Sequence, residues 1–125
     1  MLSLLGLAST RSEKMSNTRI QVPAEIKSGE AFEVRLLIRH PMETGFRYDN
    51  MGKSIPQNVV HQVTCRYDDV EVFRAELFSG IAANPYLAFF TVAASSGELE
   101  VSWTDDAGTT ESERIAITVL GVVVK

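Results

Sequence analysis

The sequence has a single cysteine, Cys65, among its 125 residues. One cysteine excludes an internal disulfide and every metal site that needs several cysteine ligands. The two histidines, His40 and His61, are nearly as scarce. His61 and Cys65 lie on the same face of a predicted strand, but four residues of strand separate them by about 13 Å, too far to share one metal ion. The sequence therefore predicts no metal site and no bound cofactor.

Positive charge is not concentrated anywhere in the chain. Twelve lysines and arginines stand against sixteen aspartates and glutamates, which gives a formal net charge of -4. Proteins that bind nucleic acid need clustered basic residues to neutralise phosphates, and the sequence has no basic run or stripe. Nucleic acid is therefore excluded as a partner.

Long apolar runs are missing as well. The apolar run at the start, Met1–Ala8, has no basic region in front of it, and it is far shorter than the ~20 residues that span a bilayer. We expect neither a working signal peptide nor a membrane segment. Residues 1–17 are expected to form a disordered extension before one domain over residues 18–120, and Met15 is an alternative start.

What the sequence does have is apolar and polar residues that alternate with a period of two, which is typical of β-strands with one buried face. The alternation places His61 and Cys65 inward; we expect His61 to lie at the edge of the core and Cys65 to be an inert core thiol. Hairpin turns are predicted from Asp and Gly residues between the strands. Seven segments are predicted strands: "RIQVP", "AFEVRLLIRH", "VVHQVTCRY", "VEVFRAEL", "YLAFFTVA", which is apolar on both faces, "ELEVSWT" and "ERIAITV". Together they predict an all-β fold, an immunoglobulin-like antiparallel β-sandwich.

Strands that reverse direction at every turn place alternate connections at the same end of a sandwich. Residues 40–58, 79–86 and 105–109 then share one end, and the hairpins at 68–69 and 95–97 share the other. The first connection is long, and loops beyond ~12–15 residues in a compact domain are often functional. The end that carries it is therefore the candidate functional site.

The sequence offers no set of residues for catalysis. The acidic pairs Asp68–Asp69 and Asp105–Asp106 stand where hairpins need turn residues, which favours a turn role over acid–base chemistry. His40 is the one loop histidine, and we expect a structural or interface role for it. There is no glycine-rich phosphate loop, nucleophile elbow or convincing triad. We expect that the chain is not an enzyme.

The chain carries four separated blocks in order: "HPMETGFR", "GKSIPQNVVHQVTCRYDDVEVFRAEL", "IAANPYLAFF" and "VSWTDDAG". Together they resemble the SoxZ family, the small subunit of the SoxYZ sulfur-carrier complex of bacterial thiosulfate oxidation. The resemblance extends over about residues 18–119. Four blocks in the same order make it a specific resemblance, unlike one short motif.

The resemblance implies a non-catalytic subunit. In the family, SoxZ pairs with SoxY, whose flexible glycine-rich C-terminal tail holds one cysteine that carries sulfur covalently between oxidising enzymes. This chain ends in "LGVVVK", and Cys65 lies in a predicted strand, so we expect the carrier cysteine to belong to the partner. The implied partners are a SoxY-type carrier subunit in a heterodimer and, transiently, the thiosulfate-oxidising enzymes of the Sox system. The implied location is the periplasm, reached with a partner that bears the export signal.

The predicted loops carry large apolar side chains, which we expect to be buried against another surface. Our hypothesis is that the "HPMETGFR" loop and the "ANPYL" segment hold the partner, since interfaces are enriched in such residues. The interface candidates are His40, Met42, Phe46, Arg47, Tyr86 and Leu87. Alternatively, Met42 and Phe46 fold back over the open end of their own sandwich. Which edge strand meets the partner stays open, because the pattern allows Leu37, Val70 and Phe90 each to face outward.

The alternative function is a free-standing immunoglobulin-like adhesion or ligand-binding module. It would use the same three loops and would need no cysteine-bearing partner.

Overall fold

The computed structural model describes residues 10–15 and 17–121, and these residues form ten β-strands and no helix. The strands are β1 (Thr10–Met15), β2 (Thr18–Pro23), β3 (Ile26–Lys27), β4 (Ala31–Ile38), β5 (Val60–Tyr67), β6 (Val70–Glu76), β7 (Tyr86–Val92), β8 (Gly97–Asp105), β9 (Thr110–Ile117) and β10 (Val119–Leu120). All seven predicted strands are present, as β2 and β4 to β9. The strands β3 and β10 have two residues each, which is too short for a period of two to be detected.

Eight of the strands form two antiparallel sheets that pack face to face. Sheet I has the order β1-β2-β4-β7 and sheet II has the order β6-β5-β8-β9. The short strands β3 and β10 pair in parallel. This arrangement confirms the predicted all-β, immunoglobulin-like sandwich. In the part of the chain that the structure describes, no helix is long and apolar enough to cross a membrane.

The core lies between the two sheets, where the inward residues of both meet. On β4 every second residue is buried: Phe32, Val34, Leu36 and Ile38. At one side of the sandwich, Phe73 of β6 stacks on Phe89 of β7 with ring centroids 4.3 Å apart. Towards the other side, the indole N–H of Trp103 donates to Thr18 Oγ1 at 2.8 Å. That bond joins sheet II to sheet I and satisfies a buried polar group.

Strand β1 corrects part of the prediction for the start of the chain. It pairs with β2 in antiparallel register, from Thr10 opposite Pro23 to Met15 opposite Thr18. Residues 1–17 were expected to be disordered, but 10–15 form this strand. The rest of that call, residues 1–9 and 16, lies outside the described residues, and residue 17 is in a turn. The segment "TRSEKM" lacks apolar alternation, so only its backbone pairing identifies it as a strand.

A bulge in β5 changes the direction in which His61 points. The pairing of β5 with β8 shifts between Val60 and Gln62, and as a result Val60 is buried and His61 is exposed. The inward position predicted for His61 is therefore wrong, because strict alternation does not continue through a bulge. Cys65 lies beyond the bulge and is fully buried, as predicted.

The two connections predicted as hairpins at the end away from the long loop do lie together, with the Asp68 N–H donating to the Glu98 carbonyl. Only residues 68–69 form a hairpin, between β5 and β6; the prediction is wrong for 95–97, which cross from β7 of sheet I to β8 of sheet II. Asp68 and Asp69 have φ angles of 50° and 68°, which two-residue hairpins require at both central positions. The Asp68 carboxylate accepts a hydrogen bond from the Glu98 N–H at 2.9 Å. A Cβ on Gly97 would collide with that carboxylate, so a larger residue there would displace the Asp68 side chain from its hydrogen bond to Glu98.

Candidate partner-binding site

Three loops meet at the other end of the sandwich, as the alternation of strand directions predicts. They are residues 40–58, 79–86 and 105–109. The His40 N–H donates to Asn84 Oδ1 at 3.0 Å, and the Asn84 N–H donates to the His40 carbonyl at 2.8 Å. The Asp106 N–H donates to the Val59 carbonyl at 3.1 Å. The Ala107 N–H also donates to Asn58 Oδ1 at 3.1 Å, so hydrogen bonds hold both shorter loops to the long one.

His40 is buried at the centre of this end. Its Nε2 lies 2.9 Å from Asp105 Oδ2, and its Nδ1 accepts a hydrogen bond from the Met42 N–H at 3.0 Å. Because Nδ1 accepts, the ring proton is on Nε2 and is donated to Asp105. The imidazole packs edge-on against Trp103, with ring centroids 5.7 Å apart. Both ring nitrogens form hydrogen bonds within the chain. His40 therefore has a structural role, which is one of the two roles predicted for it.

Asp105 is both the predicted turn residue and the buried partner of His40. Its Oδ1 accepts a hydrogen bond from the Thr109 N–H at 2.8 Å. Burial raises the pKa of this carboxyl group, but the hydrogen bonds from His40 and Thr109 outweigh burial, and the pKa lies below its ordinary value. The His40–Asp105 pair was not predicted from the sequence. The available signal was that Asp105, two residues after Trp103, continues the inward face of β8.

Met42 and Phe46 lie in the same loop but in opposite environments. Met42 is 3% exposed, and its sulfur accepts a hydrogen bond from the Val60 N–H at 3.3 Å. Its φ of 52° is a left-handed conformation, which the bond from its N–H to His40 holds in place. Phe46 is 83% exposed. Met42 therefore folds back over the end of its own sandwich, whereas Phe46 is exposed to solvent.

Arg47 projects from the same loop and is oriented by Glu43. Its Nε and Nη2 donate to the two carboxylate oxygens of Glu43 at 3.0 and 2.9 Å. This hydrogen bonding lowers the pKa of Glu43 and raises that of Arg47. Most of the Arg47 side chain is exposed. The ion pair thus presents a guanidinium group in a fixed orientation beside Phe46 in the loop.

The remaining two candidates begin strand β7. Tyr86 lies opposite Leu37 on the outer surface of sheet I, and Leu87 lies opposite Leu36 and packs against the core. The six candidates therefore do not form one exposed patch. Those exposed are Phe46, Arg47 and Tyr86, and those buried or partly buried are His40, Met42 and Leu87. Their assignment to a partner interface stays a prediction.

An open groove of about 430 Å³ lies beside this end, and the exposed His61 lines it together with Phe78 and Asp106. Asp106 Oδ2 accepts hydrogen bonds from the side chain of Gln57 and the backbone N–H of Val59 at 3.0 and 3.1 Å. These bonds lower the pKa of Asp106. The groove was not predicted from the sequence, because strict alternation places His61 inward.

Cys65 has the environment of an unreactive thiol. It is fully buried between the sheets, and burial raises the pKa of its thiol to about 12. At neutral pH the group is protonated and out of reach of solvent, whereas nucleophilic cysteines are thiolates with some exposure. Within residues 10–15 and 17–121, no group of three or more His, Cys, Asp and Glu side chains is arranged to hold a metal ion.

Solved structures of other proteins share this fold. The chain is similar to a superoxide reductase (neelaredoxin) from Ignicoccus hospitalis, with a TM-score of 0.66, 16% identity, and coverage of 95% of this chain and 88% of that one. It is also similar to the sulfur carrier protein SoxY from Chlorobium limicola f thiosulfatophilum, with a TM-score of 0.60, 12% identity, and coverage of 86% and 83%. At these identities the likeness shows the fold alone. A search of curated proteins finds no match.

The family relationship comes from the sequence. The family described as "Sulphur oxidation protein SoxZ" matches residues 20–116. This range begins in β2, ends in β9 and contains the long loop, the His40–Asp105 pair and Cys65. The chain therefore belongs to the SoxZ family.

Proposed function

We propose that the chain is the non-catalytic subunit of a sulfur-carrier heterodimer in thiosulfate oxidation. Membership of the SoxZ family supports a role in sulfur oxidation. The partner is a SoxY-type subunit whose C-terminal cysteine arm holds the sulfur intermediates. The likeness to SoxY supports a pair of subunits that share one fold.

The state of Cys65 is the observation that carries this proposal. A sulfur carrier needs an accessible thiol that can form a thiolate. Cys65 is fully buried, and the pKa of its thiol is raised to about 12. A sulfur-oxidation protein with such a cysteine depends on another chain for the covalent step.

The loop end fits a surface that meets other proteins. Phe46 is exposed, and Arg47 is held beside it in the loop by Glu43. Arginine and aromatic side chains are enriched where proteins bind one another. We include in the proposal that this end frames the arm of the partner and meets the oxidising enzymes transiently, and that the complex works in the periplasm.

The first test is a native mass measurement on the chain, alone and together with a SoxY-type subunit from the same genome. We expect a one-to-one complex. After the complex is loaded with sulfur by the oxidising enzymes, the added mass should map to the arm cysteine of the partner. The matched control is Cys65→Ala, which should leave the sulfur load unchanged.

Two results would contradict the proposal. Sulfur on Cys65 would make this chain a carrier itself. A chain that stays monomeric beside the partner would favour the free-standing binding module. Localisation is tested separately, by fractionating cells that express both subunits and probing the periplasmic fraction for this chain.

A further inference from the structure

An apolar stripe runs along the outer surface of sheet I, on its last strand. The register with β4 turns alternate residues of β7 outward. Three of them, Tyr86, Phe90 and Val92, are 59%, 67% and 56% exposed. Leu37 of β4 lies opposite Tyr86 and is also exposed. We call the following residues the β7 face: Leu37, Tyr86, Ala88, Phe90 and Val92.

Strand β7 is also an edge without protection. It ends sheet I and, among the described residues, pairs with β4 alone. Its sequence "YLAFFTV" has no charge and no proline, and its register shows no bulge. Strand β6, which ends sheet II on the same side, carries Glu71, Arg74 and Glu76 and a bulge against β5. Charges and bulges protect edge strands from unwanted pairing, so the contrast indicates that another protein covers β7.

The β7 face has the size and the border of an interface core. Its four large side chains expose roughly 400 Å², in the range of the largest apolar patches on monomers, which are often functional. One side of a standard interface covers about 800 Å² and surrounds such a core with polar groups. Here the border includes the ion pair of Arg35 and Glu33 on β4, with an N···O distance of 3.0 Å.

We propose that the β7 face is where the SoxY-type subunit docks. This inference rests on the function proposed above and gives its interface a location on the sheet. A partner with the fold of SoxY is itself a sandwich, and sheet faces pack well against one another. A second copy of this chain fits less well, because each copy carries a net charge of -4 and like charges oppose association. The exposed Phe46 and Arg47 then stay outside the main contact and accessible to the oxidising enzymes.

The variant Phe90→Lys tests the location. Phe90 lies opposite Glu33, so the new lysine gains a cross-strand partner of opposite charge and the fold is retained. In the complex the same lysine would lie within the apolar contact. We expect its Kd for the SoxY-type subunit, measured by isothermal titration calorimetry, to rise by about 30-fold or more. Phe90→Thr, which retains strand propensity without adding charge, should raise the Kd by about 10-fold.

Two controls separate this surface from the others. Ala116 lies opposite Glu98 on sheet II, so Ala116→Lys creates the same lysine–glutamate pair on the other outer surface. Its Kd should stay within about twofold of the unmodified chain. Phe46→Lys changes the loop end, and its Kd should rise by less than about fivefold, as for contacts at a rim. The melting temperature of each variant checks that it is folded.

The outcomes distinguish this inference from the proposed function. If the unmodified chain does not bind the SoxY-type subunit, the proposed function fails first. If it binds, and Phe90→Lys and Phe90→Thr bind equally well, the location is wrong. A larger loss for Phe46→Lys than for Phe90→Lys moves docking to the loop end. A homodimer that Phe90→Lys dissociates, with no heterodimer, assigns the face to a second copy and overturns the inference.

Discussion

The outer surfaces of the two sheets arise from the same alternation of residues, but they expose opposite chemistry. On sheet II the outward residues of β8 and β9 are polar apart from Ala116, and Arg114 pairs with Glu100 at 3.3 Å. On sheet I the outward residues of β7 include Tyr86, Phe90 and Val92. Folding requires only that one face of each sheet be apolar. Folding of the isolated chain therefore does not explain the apolar outer stripe of β7, whereas contact with another protein does.

The largest expected effect comes from comparing the two faces of β7 itself. Phe89 faces inward and stacks on Phe73, whereas Phe90 faces outward and is mostly exposed. In the isolated chain, Phe89→Ala should lower the free energy of unfolding by about 3–4 kcal/mol, because a large core side chain is lost. Phe90→Ala should lower it by less than about 1 kcal/mol, which reflects strand propensity. Urea unfolding followed by tryptophan fluorescence measures both.

Equal losses from the two variants would contradict this comparison. They would mean that Phe90 stabilises the chain as a monomer, and the argument for a partner on that face would lose its basis.

The alternation in the sequence accounts for most of the fold. It predicts all seven longer strands after β1, and the Asp residues between β5 and β6 predict the hairpin at 68–69. The predicted hairpin at 95–97 is wrong, because this connection joins β7 of sheet I to β8 of sheet II. The direction of the strands predicts which loops meet. These features depend on local preference and on one burial pattern, both of which a single sequence contains.

Other features depend on which strands pair, and a single sequence contains little of that information. The bulge that turns His61 outward shows itself only in the pairing of β5 with β8. Strand β1 is polar and is identified by its pairing with β2. The buried pair of His40 and Asp105 joins residues 65 positions apart. One feature of the sequence does indicate the β7 face: the segment "YLAFFTVA" is apolar on both faces. Phe90 and Leu37 were accordingly among the residues that the pattern allowed to face outward.

A second effect compares a buried with an exposed carboxylate of sheet II. Asp105 faces inward and bonds to His40, and Glu71 lies on the surface and bonds to Arg74. In the unmodified chain, His40 and Thr109 each donate to a different oxygen of Asp105. Asp105→Asn leaves only one side-chain oxygen, so one of the two donors loses its acceptor. The free energy of unfolding at pH 7 should fall by about 1–3 kcal/mol. Glu71→Gln should leave the melting temperature nearly unchanged, because its ion pair is exposed to solvent.

Acid should reveal the same difference. The pKa of Asp105 is lower in the folded chain than its ordinary value, so its stabilising contribution is present above that ordinary value, about 3.9 for an aspartate, and is lost as the pH falls below it. Melting temperatures between pH 6 and pH 3 should fall less steeply for Asp105→Asn than for the unmodified chain. Equal slopes would show that the hydrogen bonds of Asp105 do not contribute to acid sensitivity.

The smallest expected effect compares one arginine from each outer surface. Arg35 pairs with Glu33 beside the β7 face, and Arg114 pairs with Glu100 on sheet II. Either change to alanine should alter the free energy of unfolding by less than about 1 kcal/mol, because exposed ion pairs contribute little. Only Arg35→Ala should weaken binding of the SoxY-type subunit, by about three- to fivefold and more strongly at low salt, as for a charge at the rim of an interface.

If calorimetry gives equal affinities for the two variants, the rim does not include Arg35. If Arg114→Ala is the weaker binder, docking involves sheet II, and the polar surface, not the apolar stripe, is the one that meets the partner.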